Sequence, residues 1–288
     1  MVYEKLLKRI DKLSDDSRIS VGFLDDENVS AIPYVVIGDG DEVLVSTYGI
    51  HGNEEASARS FADTPNEVLK SDIDLSKVKY VGILMNPIGV RNESRMVYTH
   101  NGSFDLNRDW VKFTHVYTRM VKEFLDSLDI SVHIGHHDFY GKSKNLFYVS
   151  TKLRNGHSHI APKTDSFVQA ILREFDRQNM PYKNGKYGKF PSNLDAGPYK
   201  WFNGDSALED YLTKREVVSF GFEGAVHRPI PLPSLFRVVI PYSKLSIERR
   251  VSFHTAADMA VLRKLDKKEL IKFYNEPVAG YTFAPAIQ

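Results

Sequence analysis

Apolar runs and helical stripes alternate along this chain. Runs at 32–37, 43–48, 79–85, 130–135, 146–150, 217–222 and 236–240 have the length and β-branched content of strands. Segments 2–13, 54–62, 111–127, 165–178, 206–212 and 246–265 read as helices. In the third of these, Phe113, Val116, Met120, Val121, Phe124 and Leu128 form one apolar stripe. Strands that alternate with helices predict an α/β fold, a mixed and mainly parallel sheet flanked by helices. Between 179 and 204 the chain is rich in Gly, Pro, Asn, Tyr and Lys, a long irregular segment of the kind that either serves function or moves. No repeat or linker divides the sequence, so residues 1–288 are expected to form a single domain, long enough for a sizeable core.

Charge and composition narrow the possible chemistry. The chain carries 38 basic and 37 acidic residues and no basic run, which argues against nucleic acid or an anionic membrane as the main partner. It has no cysteine, which excludes disulfides and thiolate metal sites and restricts metal ligands to His, Asp and Glu. The first ten residues, Met1 to Ile10, read as a charged amphipathic helix rather than a signal peptide, and no apolar stretch of about 18 residues occurs. A soluble, unexported, cytoplasmic protein is the resulting expectation, with oligomeric state open.

The most telling segment is Gly49-Ile50-His51-Gly52-Asn53-Glu54-Glu55, which follows directly on the run Val43–Tyr48. An imidazole and a carboxylate leaving the end of a buried strand together can fill two of the three protein positions of a catalytic zinc, with a water in the fourth. Such a pair also occurs on ordinary surface loops, so its meaning depends on other segments. Four follow in order: Met85-Asn86-Pro87-Ile88-Gly89; Asn101-Gly102-Ser103-Phe104-Asp105-Leu106-Asn107-Arg108-Asp109-Trp110; the cluster His133-Ile134-Gly135-His136-His137-Asp138; and Val217-Val218-Ser219-Phe220-Gly221-Phe222-Glu223.

Taken together, these segments resemble the zinc carboxypeptidases, the carboxypeptidase A-like metallopeptidases, from about residue 30 to residue 265. Asp-Leu-Asn-Arg is the specific element. The resemblance implies one zinc per chain, held by His51 and Glu54, with Glu55 as rival carboxylate. For the third ligand it leaves His133, His136 and His137. Ile130-Ser131-Val132-His133 matches the strand pattern of the digestive enzymes, whereas His136-His137-Asp138-Phe139 with the later Leu146-Phe147-Tyr148-Val149 resembles another branch. His136 is preferred, His133 second and His137 third. The two not chosen are expected to be structural, His133 as a buried polar residue beneath the metal, and Asp138 could orient a ligand imidazole.

The same resemblance makes Glu223 the general base, with Glu216 and Glu248 as fallbacks. An apolar neighbourhood at a strand end lifts a carboxyl pKa toward neutrality, which suits that role. Asn107 and Arg108 match the pair that grips a substrate's terminal carboxylate, for which a guanidinium fork and an amide donor are apt. Arg95, with Arg91 second, is the candidate for polarising the scissile carbonyl. The usual Arg-x-Asn is not intact here. Val226 to Lys244 reads as an insertion, Arg228–Pro233 as a rigid connection, and His254 with Asp258 as a local helix pair. Tyr187 or Tyr199 could close over a substrate.

The function implied is hydrolysis of a peptide or amide bond next to a free carboxy terminus, with a peptidoglycan stem peptide or a glutamylated chain as possible substrates. A related alternative is an acyl-amino-acid amidohydrolase of the succinylglutamate desuccinylase and aspartoacylase type, acting on a small acylated amino acid. A third, from another class, is a peptide-binding protein of the same fold without metal.

Overall fold

The computed structural model describes residues 2–27, 29–99, 102–142, 147–150, 166–167, 170–171, 173–175, 177–178, 207–229 and 242–267. In chain order the elements are α1 (Val2–Asp11), β1 (Ile19–Asp26), β2 (Val29–Ile37), β3 (Glu42–Tyr48), α2 (Glu55–Lys70), β4 (Val78–Leu84) and α3 (Pro87–Arg91). A small hairpin of β5 (Val97–Thr99) and β6 (Gly102–Phe104) and a 3-10 turn (Leu106–Arg108) lead to α4 (Val116–Asp126) and β7 (Val132–Lys142). After β8 (Phe147–Ser150) come α5 (Leu208–Thr213), β9 (Val218–Pro229), β10 (Tyr242–Lys244) and α6 (Ile247–Asp266).

Among the described residues eight strands form one sheet in the order β1-β2-β4-β3-β7-β9-β10, with β8 also on β9. The middle of the sheet, β4-β3-β7-β9, is parallel, and β1, β2, β8 and β10 pair antiparallel around it. The mixed, mainly parallel sheet flanked by helices is therefore what the pattern predicted. Parallel strands buried on both faces read as continuous apolar runs, which is why β3, β4 and the start of β9 were legible.

Alternate residues of each strand serve opposite cores. Leu44, Tyr80, Ile134, Phe220 and Phe222 join the cluster covered by α1, α2 and α6; Val43, Val45, Val81 and Ile83 join the one covered by α4 and α5. This division decides which side chains can meet at the carboxyl ends of the parallel strands, where open α/β sheets place their sites.

Several boundaries differ from expectation. Helix α4 begins at Val116 rather than 111, because Phe113 takes a left-handed backbone, φ 51°, and Asp109 accepts hydrogen bonds from Thr114 N, His115 N and Thr118 Oγ1. Its buried stripe is Tyr117, Thr118, Val121 and Leu125, with Val116, Met120 and Phe124 at the margins. Helix α2 runs past Pro65 to Lys70, since burial of Val68 and Leu69 outweighs the one donor that proline lacks. Strand β9 continues well beyond Phe222. The part of the supposed insertion and of the Pro-rich connection past Pro229, up to residue 241, lies outside the described residues, as do the expected strand 236–240, the loop 179–204 with Tyr187 and Tyr199, and His100, His157 and His159. Positions 166–167, 170–171, 173–175 and 177 are helical, within the expected 165–178. Among the described residues no helix is long and apolar enough to cross a membrane.

Candidate metal centre

At the end of β3 the chain turns sharply on Gly49, whose φ of 58° is a conformation that favours glycine. The turn is held from the neighbouring strand end: Asn86 Nδ2 donates to Ile50 O at 3.1 Å, and Asn86 Oδ1 accepts from Gly89 N at 2.8 Å. Gly52 packs so closely on the Gly89 backbone that a Cβ there would overlap it. The Asn-Pro-x-Gly segment is thus the support of the His-x-x-Glu turn. Glu54 immediately precedes α2 without a side-chain hydrogen bond to the helix end, and both His51 and Glu54 are buried.

Strand β7 brings the third donor. Registered against β3 and β9, its residues His133, Gly135 and His137 lie on the face of Val45, Ser219 and Glu223, while Ile134, His136 and Asp138 lie on the opposite face. His137 Nδ1 stands 3.0 Å from Glu54 Oε2, and His51 Nδ1 stands 2.7 Å from Glu54 Oε1. The ligand atoms of His51, Glu54 and His137 lie within 4.8 Å of one another. Two imidazole nitrogens and a carboxylate, all buried and converging, fit a zinc ion in donor type and spacing. Burial opposes ionisation of Glu54, but the imidazoles of His137 and His51 outweigh it and hold the carboxyl near 2. Glu55 is turned away, paired with Arg59 on α2.

The preference for His136 is corrected. Strand alternation puts it on the α2 and α6 side, buried, with Nε2 2.8 Å from Asp258 Oδ1 and Nδ1 3.0 Å from His254 Nδ1. Asp138 shares that side, away from His51, Glu54 and His137; it accepts from Arg250 Nη1 and Ala56 N and, at 3.0 Å, meets His254 Nε2. His254 and Asp258 are accordingly not a local pair, since both are turned inward to His136 on the sheet, and His254 also to Asp138. His133, on the site's own face, is buried deeper in the sheet between Thr47 Oγ1 and Ser219 Oγ, at 3.0 and 2.8 Å.

His133 has a consequence for stability. Burial, reinforced by the neighbouring His136 and His137 and opposed by Glu209, lowers its pKa to about 4. The folded chain therefore keeps this ring neutral while the unfolded chain protonates it below about 6.5. More protons bind to the unfolded state in that window, so this term is fully present above it and declines as pH falls toward 4, by up to about 1.4 kcal/mol per pH unit. Urea unfolding at pH 7, 6 and 5 should show a steeper loss for the unaltered chain than for His133→Gln; equal slopes would contradict the assignment.

Of the remaining candidates, Glu223 and Arg95 stand beside the three donors. Glu223 is the register partner of His137 and projects from the same face of β9. Burial, together with the charges of Glu54 and Glu209, pushes its carboxyl up to about 7, against the pull of His137 and His51. Glu216 and Glu248 are exposed, in the turn after α5 and the first turn of α6. Arg95 lies at the site, its Nη1 3.4 Å from His51 Nδ1 and its Nη2 2.9 Å from Asp105 Oδ2, whereas Arg91 pairs with Glu4 and stacks on Tyr3. Asn107 is buried, and its Oδ1 accepts from Leu208 N at 3.4 Å, so the amide end that remains to donate is the NH2. Arg108 follows it in the 3-10 turn, Nη1 on Asn107 O at 2.7 Å.

Two carboxylates near the donors were not singled out from the sequence. Asp105 Oδ1 lies 3.2 Å from His51 Nε2; its place in Asp-Leu-Asn-Arg was the available signal. Glu209 Oε1 lies 3.8 Å from His137 Nε2, and no motif marked it.

No family model matches the chain, and no curated protein matches it in sequence. Solved structures do. A metallo-carboxypeptidase from Burkholderia cenocepacia is similar at 13% identity, over 92% of this chain and 70% of that one, with a TM-score of 0.65. Bovine thrombin-activatable fibrinolysis inhibitor, in complex with tick carboxypeptidase inhibitor, is 13% identical over 93% of this chain and 96% of that one, TM-score 0.62. A succinylglutamate desuccinylase/aspartoacylase from Rhodobacter sphaeroides is 14% identical over 87% and 66%, TM-score 0.53. This chain has the fold of the zinc carboxypeptidases.

Proposed function

We propose that this chain is a zinc-dependent carboxypeptidase. The observation that carries the reading is the convergence of His51, Glu54 and His137 from two elements, with Glu223 on the adjoining strand and Arg95 beside His51. His51, Glu54 and His137 would hold the zinc ion, which when bound would supply the Lewis acidity that makes water a nucleophile near neutral pH. Glu223 takes a proton from the attacking water and returns it to the leaving amine, for which a carboxyl group raised toward 7 is matched. Arg95, anchored by Asp105, supports the charge that develops on the carbonyl oxygen. Asn107 and Arg108 hold the terminal carboxylate and so place the last peptide bond over the donors.

The similarity to a succinylglutamate desuccinylase/aspartoacylase keeps one alternative, an acyl-amino-acid amidohydrolase using the same groups. The test is a panel of N-blocked dipeptides with a free carboxy terminus, their C-terminal amides, and N-acyl amino acids. Turnover of the first set, at least about 100-fold above the amides, is expected, because the charge-assisted hydrogen bonds to the carboxylate are worth roughly 1.5–3 kcal/mol each. Arg108→Ala should raise KM about 10- to 100-fold with a smaller change in kcat. Turnover confined to N-acyl amino acids would transfer the case to the amidohydrolase, and none in any set, even with added zinc, to a binding protein.

A further inference from the structure

Both histidines of the candidate centre turn the same nitrogen inward. His51 and His137 each present Nδ1 to Glu54, which leaves each Nε2 on the outside of the donor cluster. Behind His51 Nε2 stands Asp105, at 3.2 Å. Behind His137 Nε2 stands Glu209, at 3.8 Å, an ion-pair distance rather than a hydrogen bond. Glu209 belongs to no motif, and the peptidase mechanism does not use it.

Its position is nevertheless built. Glu209 sits in the first turn of α5, and that helix is anchored by Leu208 and Leu212, which are fully buried among the core residues on the same side of the sheet as the site. The Leu208 amide is tied to Asn107 Oδ1, fixing the helix start beside the site. Beneath the carboxylate the sheet is hollow: Gly135 and Gly221 oppose each other between the pairs His133–Ser219 and His137–Glu223. A Cβ on Gly135 would overlap Glu209 Oε1. Only a strand without a side chain at 135 lets this carboxylate lie against β7, and the Glu209 side chain there is 14% exposed.

We propose, building on the zinc-site reading, that Glu209 is a positioning residue: its carboxylate attracts the proton on His137 Nε2 across the 3.8 Å gap and so holds the ring with Nδ1 toward Glu54. Carboxylates behind ligand imidazoles act in this way in metal sites, and their loss weakens metal affinity about 10- to 100-fold. His51 and His137 are then each backed by an acid, Asp105 and Glu209.

The experiment compares the unaltered chain with Glu209→Gln, which keeps the shape and one acceptor oxygen but removes the charge. Zinc affinity is measured by competition with a chromophoric chelator, urea unfolding of the metal-free protein is recorded in parallel, and the His137 ring is followed by nitrogen-15 NMR. Zinc affinity should fall about 10- to 100-fold with the unfolding midpoint little changed, and the His137 Nε2 proton should exchange faster or the ring shift its tautomer. Unchanged affinity together with an unchanged His137 ring would overturn the proposal, and would be the result if Glu209 instead met a cationic group of a substrate. Should the unaltered chain take up no zinc, the peptidase reading fails first. The His137 ring in the metal-free protein then decides about Glu209 by the same criterion.

Discussion

Zinc should bind at about one ion per chain, should be lost in His51→Ala and His137→Ala, and should be retained in His136→Ala. Mass-spectrometric metal analysis of the purified proteins reads this directly. The expectation rests on the faces of β7: His137 projects beside Glu54, and His136 projects to the far side of the sheet, where Asp258 and His254 meet it. A three-ligand site that loses one imidazole keeps too few donors for tight binding, whereas a residue across the sheet contributes none. His136→Ala should be destabilised all the same, because it removes a buried ring that Asp258 and His254 both meet. Zinc lost in His136→Ala and kept in His137→Ala would refute the placement. Glu223→Gln completes the set. It should keep its zinc and lose about 10²–10⁴-fold in kcat on peptides with a free carboxy terminus, since the amide cannot take or return a proton.

Unfolding in urea at pH 7 should show Asp258→Ala less stable than the unaltered chain by about 3–5 kcal/mol. Asp258 is fully buried on α6 and accepts from Ser46 Oγ at 2.6 Å, from Thr64 Oγ1 at 3.2 Å and from Tyr48 OH, and it meets His136 Nε2 at 2.8 Å. Alanine deletes the acceptor and leaves four polar groups of three elements facing a dry cavity. Uncompensated desolvation, rather than a lost attraction, is therefore the dominant effect. Asp258→Asn should fall between the two, because it retains one acceptor oxygen and presents an NH2 to groups that are themselves donors. A loss below about 1 kcal/mol in Asp258→Ala would mean that these groups find other partners.

The network has a place in the architecture. Asp138, on the same face of β7, joins the start of α2 through Ala56 N to α6 through Arg250 and His254. The turn carrying Glu54 leads directly into α2, and His137 neighbours Asp138 on β7. The buried polar layer under the sheet thus ties together the elements that present donors above it. That arrangement accounts for polar residues at 136, 138, 254 and 258 in an otherwise apolar layer.

How much of this was legible beforehand depended on how local each signal was. His51 and Glu54 come from one turn of seven residues after an apolar run, and their joint approach needs only that strand end. Asn107 and Arg108 lie in one contiguous motif. The parallel strands were legible because burial on both faces removes polar positions from them. Strand β1, half-exposed along its length at one end of the sheet, lacks that signature and was not anticipated. Neither was the extension of α2 through Pro65.

The histidine cluster marks the limit. The resemblance implied a ligand histidine within 133–137 and left three candidates there. Which one faces His51 and Glu54 is a question of strand phase, and a shift of one residue exchanges the two faces of the sheet. The phase is set by pairing Val45 with His133 and His137 with Glu223, contacts between residues about 90 positions apart. Glu209 lay further still beyond reach, since its meaning depends on a helix start pinned by Asn107 and on a hollow made by Gly135, neither adjacent to it in sequence. From the residues alone one reads a cysteine-free set of His and Glu side chains and an Asn-Arg pair. Which of those side chains share a face is settled in three dimensions, by strand register and helix docking rather than by any local run of residues.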